Sequence, residues 1–198
     1  MKTKHALWMM RPLLLLCAFL CAFMPGPGQK PALILKDSEQ KTAVELYEIN
    51  LGVDVFLYMN KRFGYSALIP PGMAEVVVSI SSNGDGLIVA SKDGKARYRV
   101  SGGRAEFVEG GLQGAFDRAL KNIGPGNLLQ AAFFKQMGPE LSEWQLFWRQ
   151  DGMIHKRRFV IKNDNLFDCE LSYPADEHEK YDESTNVAVI NSNFNVSD

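Results

Sequence analysis

Short runs of β-forming residues separated by tight-turn sequences constrain the fold of this chain more than any other feature. The runs occupy residues 62–69, 76–80, 87–90, 96–100, 143–149, 153–162 and 166–173. Two of the turn sequences are Asn83-Gly84-Asp85-Gly86 and Lys92-Asp93-Gly94-Lys95. Asp-Gly pairs tolerate the positive φ of a tight hairpin turn, and β-branched and aromatic residues favour strands. The pattern therefore predicts two antiparallel meanders, one before and one after residue 111.

The last run shows how its strand is expected to be buried. Residues 167, 169, 171 and 173 are Phe, Cys, Leu and Tyr, and they alternate with Asp168, Glu170 and Ser172. Side chains of a strand point alternately to opposite faces, so one face is predicted to be buried and the other to meet solvent. Residues 44–60 are less decisive, since they fit either a helix or a pair of strands interrupted at Gly52.

Two segments predict helices. In residues 111–123 the apolar side chains recur at helical spacing, and Gly124-Pro125-Gly126 ends the pattern. Residues 181–194 predict a closing helix, with Val187, Ile190 and Phe194 on one side. Strand runs interrupted by a few helices indicate an α+β fold, in which we expect both meanders to join in one sheet backed by the two helices.

The first 28 residues have the layout of a secretory signal peptide. Lys2, Lys4 and Arg11 are basic, residues 13–24 are uniformly apolar, and Pro25-Gly26-Pro27-Gly28 breaks any helix. The apolar run is shorter than the ~20 residues of a spanning helix, which favours a cleaved signal over an uncleaved anchor. We therefore expect residues 1–28 to be the signal, 29–57 an N-terminal extension or capping segment, and 58–198 a single domain, periplasmic or secreted.

Charge and cysteine content narrow the classes of function. Removing Lys2, Lys4 and Arg11 from the 22 basic residues leaves 19 against 23 acidic ones, a net charge of −4. Mild acidity argues against a nucleic-acid binder, which usually carries a basic face. Cys169 would be the single cysteine of the processed protein, so its core rather than an internal disulfide is expected to stabilise it.

Several segments together resemble a group of uncharacterised exported bacterial proteins. They are Asn60-Lys61-Arg62-Phe63-Gly64-Tyr65-Ser66 before Pro70, then Asn83-Gly84-Asp85-Gly86, Ser91-Lys92-Asp93-Gly94-Lys95-Ala96, Leu171-Ser172-Tyr173-Pro174 and Tyr181-Asp182. The group's architecture is similar to PsbP-like α/β/α sandwiches, whose members often act as binding or assembly accessories. The resemblance implies a PsbP-like sandwich and an exported location, and it carries no catalytic residues. The longer segment before Asn60 departs from the group.

Metal sites have little support in the sequence. Asn83 and Asp85 suggest a calcium loop, but Ser81 and Lys92 stand where an EF-hand needs carboxylates, so a turn between strands is the favoured interpretation. His178 lies among acidic residues that suit either a weak cation site or a solvated helix start. We expect no metal and no cofactor.

The candidate contact surface combines a basic strand and an aromatic one. Lys156, Arg158 and Lys162 share one face of the predicted strand, where they either bind an acidic group or form a solvated charged face. Trp144 and Trp148 share a face of the preceding strand, where they are either covered by a helix or exposed to a partner.

The function expected from the sequence is a non-enzymatic accessory or binding module that contacts a protein or an envelope component. Cys169 is a nucleophile only if it is exposed beside a base, and its place in the apolar alternation favours a buried residue. The alternative is a hydrolase-type enzyme whose pocket no motif reveals, marked by clustered, buried acids with perturbed pKa values.

Overall fold

The computed structural model describes residues 30–31, 33–36, 43–50, 54–60, 62–73, 76–134, 141–185 and 193–194. Predictions for residues 1–28, for Gly52 and for residues 186–192 lie outside this part of the chain. The strands in it are β1 (Leu33–Lys36), β2 (Ala43–Asn50), β3 (Asp54–Asn60), β4 (Tyr65–Ile69), β5 (Val76–Ile80), β6 (Gly86–Ala90), β7 (Arg97–Arg104), β8 (Leu128–Phe134), β9 (Leu141–Gln150), β10 (Met153–Lys162), β11 (Asn165–Pro174) and β12 (Asn193–Phe194). The α-helices are α1 (Gly111–Ile123) and α2 (His178–Thr185), and short 3-10 turns occupy Pro71–Met73, Ala105–Phe107 and Ala175–Glu177.

The described strands form two antiparallel sheets. A five-stranded sheet has the order β1-β2-β3-β4-β12, and a seven-stranded sheet has the order β5-β6-β7-β11-β10-β9-β8. In the larger sheet β7 pairs with β11, so the strands before α1 join those after it. The five-stranded sheet and α2 lie on one face of the larger sheet, called here the inner face, and α1 lies on the other, the outer face.

The inner core lies between the two sheets. Phe167, Cys169, Leu171 and Tyr173 of β11 are buried there, together with residues of β4, β6 and β7. The apolar face predicted for β11 is the one that packs here, but the opposite face does not meet solvent as predicted: Asp168 is buried in ion pairs and Leu166 packs in the core beneath α1. Gly102 of β7 allows the Tyr65 ring to lie across the strand, since a Cβ at Gly102 would stand 2.4 Å from Tyr65 Cε1.

The outer core lies beneath α1. The helix has the predicted bounds and buries Ala115, Ala119 and Ile123 against β9 and β10. The rings of Trp144 and Phe159 stack under it with centroids 5.1 Å apart. The periodicity predicted the helix because its apolar stripe covers a sheet face that is equally apolar.

The structure confirms the α+β class and corrects two details of it. The meanders do not share one sheet throughout, because β4 belongs to the five-stranded sheet, where it pairs with β3. A closing helix over residues 181–194 is also wrong: α2 ends at Thr185, and Asn193 and Phe194 form β12 against β4. The spacing of Val187, Ile190 and Phe194 was compatible with a helix, but strand pairing determines the conformation of Phe194.

Residues 44–60 adopt the strand alternative. β2 pairs with β3 in antiparallel register, from Leu46 opposite Tyr58 to Asn50 opposite Asp54. Leu46 and Tyr58 are buried in the inner core. Part of the segment predicted as an N-terminal extension therefore contributes to the main core, and β1 adds a further strand at its edge.

Candidate binding surfaces

Two of the segments that carry the family resemblance, residues 60–66 and 83–86, meet in a hydrogen-bonded junction between the two sheets. The Asn60 amide accepts the N–H groups of Arg62 and Phe63 at 3.1 Å, and its Nδ2 donates to the Gly84 carbonyl at 2.8 Å. The Tyr65 hydroxyl donates to the Asp85 carbonyl at 2.7 Å. Asn60 and Tyr65 are both buried, so the role of this junction is to stabilise the fold.

The loop around Asn83 and Asp85, which the sequence suggests as a calcium loop, forms part of this junction. Asn83 donates to the Asp85 carboxylate at 2.6 Å, and the Gly84 N–H donates to the Ser81 carbonyl. Gly84 has φ of 76°, which a glycine adopts without strain. In the described part of the chain no three His, Cys, Asp or Glu side chains are arranged around a metal position.

Other segments that carry the resemblance, at Pro70, residues 91–93 and Tyr181, meet at a concave site, called here the bowl. Its volume is about 420 Å³, within the usual range of ligand pockets. The turn after β4, the β6–β7 turn and α2 supply its lining: Pro70, Gly72, Met73, Ser91, Lys92, Asp93, Lys180 and Tyr181. Met73 and Tyr181 close the base of the bowl as part of the buried core, and Lys180 Nζ lies 4.7 Å from the centroid of the Tyr181 ring. Lys92, Asp93 and Lys180 are exposed at the rim.

Most rim charges of the bowl are already compensated. The Asp93 carboxylate accepts the Ser91 hydroxyl at 2.6 Å and the Lys95 N–H at 3.1 Å, and these bonds lower its pKa. Glu177 lies 2.5 Å from Lys95 Nζ and 3.0 Å from Lys180 Nζ, and both hydrogen bonds lower its pKa. These groups are therefore fixed ions at neutral pH.

A second polar site, called here the ion network, lies on the outer face beside α1. Asp168 of β11 receives Arg157 from β10 at 2.8 Å and Arg99 from β7 at 2.9 Å. Glu170 lies 3.5 Å from Arg99 and 3.1 Å from His155 Nδ1. The network is anchored on the tryptophans, since His155 stacks on Trp148 and Arg157 lies over Trp144.

The ion network favours the ionised form of Glu170. Burial opposes ionisation of Glu170, but the hydrogen bond from His155 and the charges of Arg99 and Arg157 outweigh it and lower the Glu170 pKa. A general acid at neutral pH needs the opposite shift. The hydrolase alternative predicts clustered acids with perturbed pKa values. The structure contains such a cluster, but the pKa of Glu170 is lowered, so its carboxylate stays ionised at neutral pH.

The basic residues predicted as a contact surface lie together on the inner face of β10. Arg158 is buried and bridges Glu143 of β9 at 2.5 Å, so it acts within the core. Lys156 lies over the Phe147 ring at 5.1 Å, and Lys162 is half-buried at the end of the strand. Alternation thus groups the three residues as predicted, while burial separates Arg158 from solvent.

Trp144 and Trp148 point to the opposite face from Lys156. Trp144 is fully buried and Trp148 is 7% exposed, both beneath α1. Of the two interpretations of the sequence, the helix-covered one describes them. They therefore support the ion network from below and present no ring to a partner.

Two further candidates have structural roles. Cys169 is fully buried, and burial is the main cause that raises its thiol pKa to about 12. His178 Nδ1 lies 2.9 Å from the Tyr173 hydroxyl, with the two rings stacked. Neither geometry resembles that of a nucleophile or a metal ligand.

No sequence motif indicated the bowl or the ion network. Pro70-Pro71-Gly72 and Lys92-Asp93-Gly94 are typical of turns, and their convergence with Tyr181 depends on how the two sheets and α2 pack. The ion network has a weak sequence signal, because His155 and Arg157 alternate with Lys156 and Arg158 in the basic run and so share one face of the predicted strand. Its acids lie on other strands, so strand order was needed to pair them.

Comparison with solved structures identifies the fold. The solution structure of cyanobacterial PsbP (CyanoP) from Synechocystis sp. PCC 6803 matches with a TM-score of 0.53 and 16% sequence identity, covering 71% of this chain and 92% of that one. The chain therefore has a PsbP-like fold, as the sequence resemblance implied. Neither a protein-family model nor a curated protein sequence matches it. Within the described residues no helix is both long and apolar enough to cross a membrane.

Proposed function

We propose that this protein is an exported, non-enzymatic accessory module that binds a partner protein or an envelope component. The observation that carries the proposal is the bowl, a concave site of about 420 Å³ whose base is closed by the buried core and whose rim is charged. Concave sites with a few oriented polar groups are the usual form of binding sites. The PsbP-like fold and the signal-peptide layout of residues 1–28 support the proposal.

Ion pairs and hydrogen bonds connect the β6–β7 turn with the start of α2 beside the bowl. Lys95, Glu177 and Lys180 hold the β6–β7 turn against the start of α2 through consecutive ion pairs of 2.5 and 3.0 Å. Ser91 closes the same turn by accepting the Ala96 N–H at 3.0 Å. Preorganised groups lose less entropy when a ligand binds, which raises affinity for a given contact area.

The test is photo-crosslinking in intact cells of the host. A photoreactive amino acid replaces Lys92 at the bowl or Lys162 at the end of β10, with Lys121 on the solvent side of α1 as the control position. We expect a discrete adduct with one envelope component from Lys92 or Lys162 and none from Lys121. Absence of an adduct at both test positions, or a turnover that requires a particular side chain, would contradict the proposed function.

Export is tested separately by fractionation and N-terminal sequencing. We expect the processed chain to begin near residue 29 and to be found in the periplasmic fraction or in the culture medium. A chain that keeps residues 1–28 and remains with the cytoplasm would exclude this part of the proposal.

A further inference from the structure

One edge of the seven-stranded sheet is the strand β8, whose described neighbour in the sheet is β9. Backbone N–H and C=O groups of an antiparallel strand point alternately to its two sides, so the side of β8 away from β9 presents a row of them. In the part of the chain that the structure describes, the backbone hydrogen bonds between strands pair β8 with β9 only. The structure that pairs with such a row is another extended strand.

The sequence of β8 leaves this edge without the usual protection. Soluble proteins commonly place charged residues or proline in an edge strand, and the seven residues of β8 include neither. Leu128 and Leu129 are 37% and 54% exposed. A bulge shifts the register between Leu128 and Gln130, but residues 130–134 then pair regularly with β9. This regular stretch has a typical strand length and is therefore able to pair on its second side as well.

The opposite edge of the same sheet is better protected. β5 has five residues against seven in β8, and its bulge lies in its middle, between Val77 and Ser79. A bulge at that place twists an edge strand out of pairing. In addition, β1 of the five-stranded sheet lies beside β5. Of the two edges of the larger sheet, β8 is therefore the one open to a further strand.

We propose that β8 is the contact surface of a homodimer, in which the β8 strands of two copies pair antiparallel across a two-fold axis. Charge favours this occupant: a charged strand would find no opposite charge on β8, whereas two copies of β8 bring no like charges together. With the axis at Ala132, Ala131 stands opposite Phe133 and Gln130 opposite Phe134, so a smaller residue meets a larger one on each side of the axis. Such pairing continues the sheet into the second copy, and it goes beyond the proposed function because it does not involve the bowl.

The size of the contact sets its strength. A standard stable interface uses about 20–30 residues on each side, and β8 supplies seven. We therefore expect a weak, concentration-dependent dimer with a Kd of about 10–100 µM. The strand order also fixes which surfaces come together: the two β8 strands meet at the axis, and the two β5 strands lie at the far ends of the joined sheet.

The first measurement is sedimentation velocity of natively processed protein over concentrations of about 1–500 µM, which should show a monomer converting to a dimer. Ala131→Lys at this exposed position brings two lysines together near the axis and should raise the Kd at least about tenfold. Val78→Lys adds the same charge to β5, where Val78 is 46% exposed, and should dimerise as wild type does. Thermal unfolding checks the fold of each variant, and Leu129→Lys at an exposed position replaces Ala131→Lys if that variant does not fold.

Cross-linking locates the contact. Diagonal neighbours in an antiparallel strand pair lie about 7–8 Å apart, so a bismaleimide that spans about 8–10 Å joins two copies of Ala131→Cys near the axis. Cys17 and Cys21 are replaced by Ser where they remain, and Cys169 is buried. We expect a covalent dimer from Ala131→Cys and none from Val78→Cys, which lies at the opposite edge of the sheet.

Several outcomes would overturn the homodimer. They are a monomer at every concentration, unchanged dimerisation of Ala131→Lys, and a covalent dimer from Val78→Cys. Species that keep growing beyond a dimer would also contradict it, because pairing across a two-fold axis closes at two copies. So would a complex in which β8 of a monomer pairs with a strand of another envelope protein. The accessory function is judged separately by the crosslinks from Lys92 and Lys162, so either proposal can fail without the other.

Discussion

The buried pair Arg158–Glu143 is the residue-scale feature that departs most from an ordinary strand surface. Both side chains are at least nine-tenths buried, and Gln145 donates a further hydrogen bond to Glu143 at 3.0 Å. Buried charges are tolerated when paired, because each ion compensates the lost hydration of the other. The pair explains why a run of basic residues that looked solvent-exposed in sequence contains one core residue.

Removing one member of this pair is expected to be costly. Arg158→Met leaves Glu143 buried and unpaired, and the free energy of unfolding should fall by about 3–5 kcal/mol. The double variant Arg158→Met/Glu143→Leu should recover most of that loss. Urea unfolding measures both, with the exposed Arg118→Met as control, which should change stability by less than about 1 kcal/mol. A single variant as stable as wild type would contradict the burial of the pair.

The burial of Cys169 predicts that its thiol reacts slowly with alkylating reagents. Its buried thiol has a pKa of about 12, so almost no thiolate forms at mildly alkaline pH, and the sulfur has no access to reagent. Iodoacetamide should label native protein much more slowly than protein unfolded in guanidinium chloride, with Cys17 and Cys21 replaced by Ser where they remain. A Lys121→Cys variant on the surface of α1 serves as the positive control. Rapid native labelling at Cys169 would show that β11 opens readily.

At the scale of the elements, the ion network ties three adjacent strands through Glu170. Its pKa is lowered in the folded protein, so folding is favoured more when Glu170 is ionised. The contribution is complete above the ordinary glutamate pKa of 4.5 and is lost as the pH falls through the lower pKa of the folded protein. The stability difference between wild type and Glu170→Gln should therefore be largest near neutral pH and shrink below pH 4.5. Denaturant unfolding across this range measures it, with the exposed Glu109→Gln measured as a control.

Contact between the two sheets depends on the absence of a side chain at Gly102. A Cβ there would lie 2.4 Å from Tyr65 Cε1 and 3.0 Å from Phe63 Cβ, so Gly102→Ala should destabilise the protein by about 1–3 kcal/mol. Gly103 is the matched control, because its added Cβ would meet the Leu166 side chain at 3.4 Å on the other face. Thermal unfolding distinguishes the two variants. Equal midpoints would mean that Tyr65 does not pack across β7.

Sequence patterns predicted local elements better than the partners of those elements. Helix α1 and the alternation in β11 follow from side-chain periodicity, which depends on neighbours a few residues away. β12 consists of two residues, too few for any periodicity, and its pairing with β4 depends on contacts across more than a hundred residues of chain. The same reason applies to the bowl, whose lining from Pro70 to Tyr181 comes together only when the sheets pack.

At the scale of the whole molecule, the two cores share one seven-stranded sheet. The inner core packs on its face toward the five-stranded sheet, and the outer core packs on its face toward α1. Strands β10 and β11 contribute to both, since Phe167 faces inward and Leu166 outward. A disturbance on one side is therefore transmitted to the other through backbone that both cores hold in place. The expected consequence is a single cooperative unfolding transition.

Leu171→Ala tests this coupling, because Leu171 is fully buried in the inner core, on the opposite face of the larger sheet from the two tryptophans of the outer core. The substitution should lower the free energy of unfolding by about 2–5 kcal/mol. Tryptophan fluorescence reports on Trp144 and Trp148, provided that Trp8 is replaced by Phe where it remains, and far-ultraviolet circular dichroism reports on all strands. Both probes should shift to the same lower denaturant midpoint, as they should for Ile123→Ala in the outer core. A fluorescence midpoint that stays at the wild-type value would mean that α1 and its core unfold independently of the inner core.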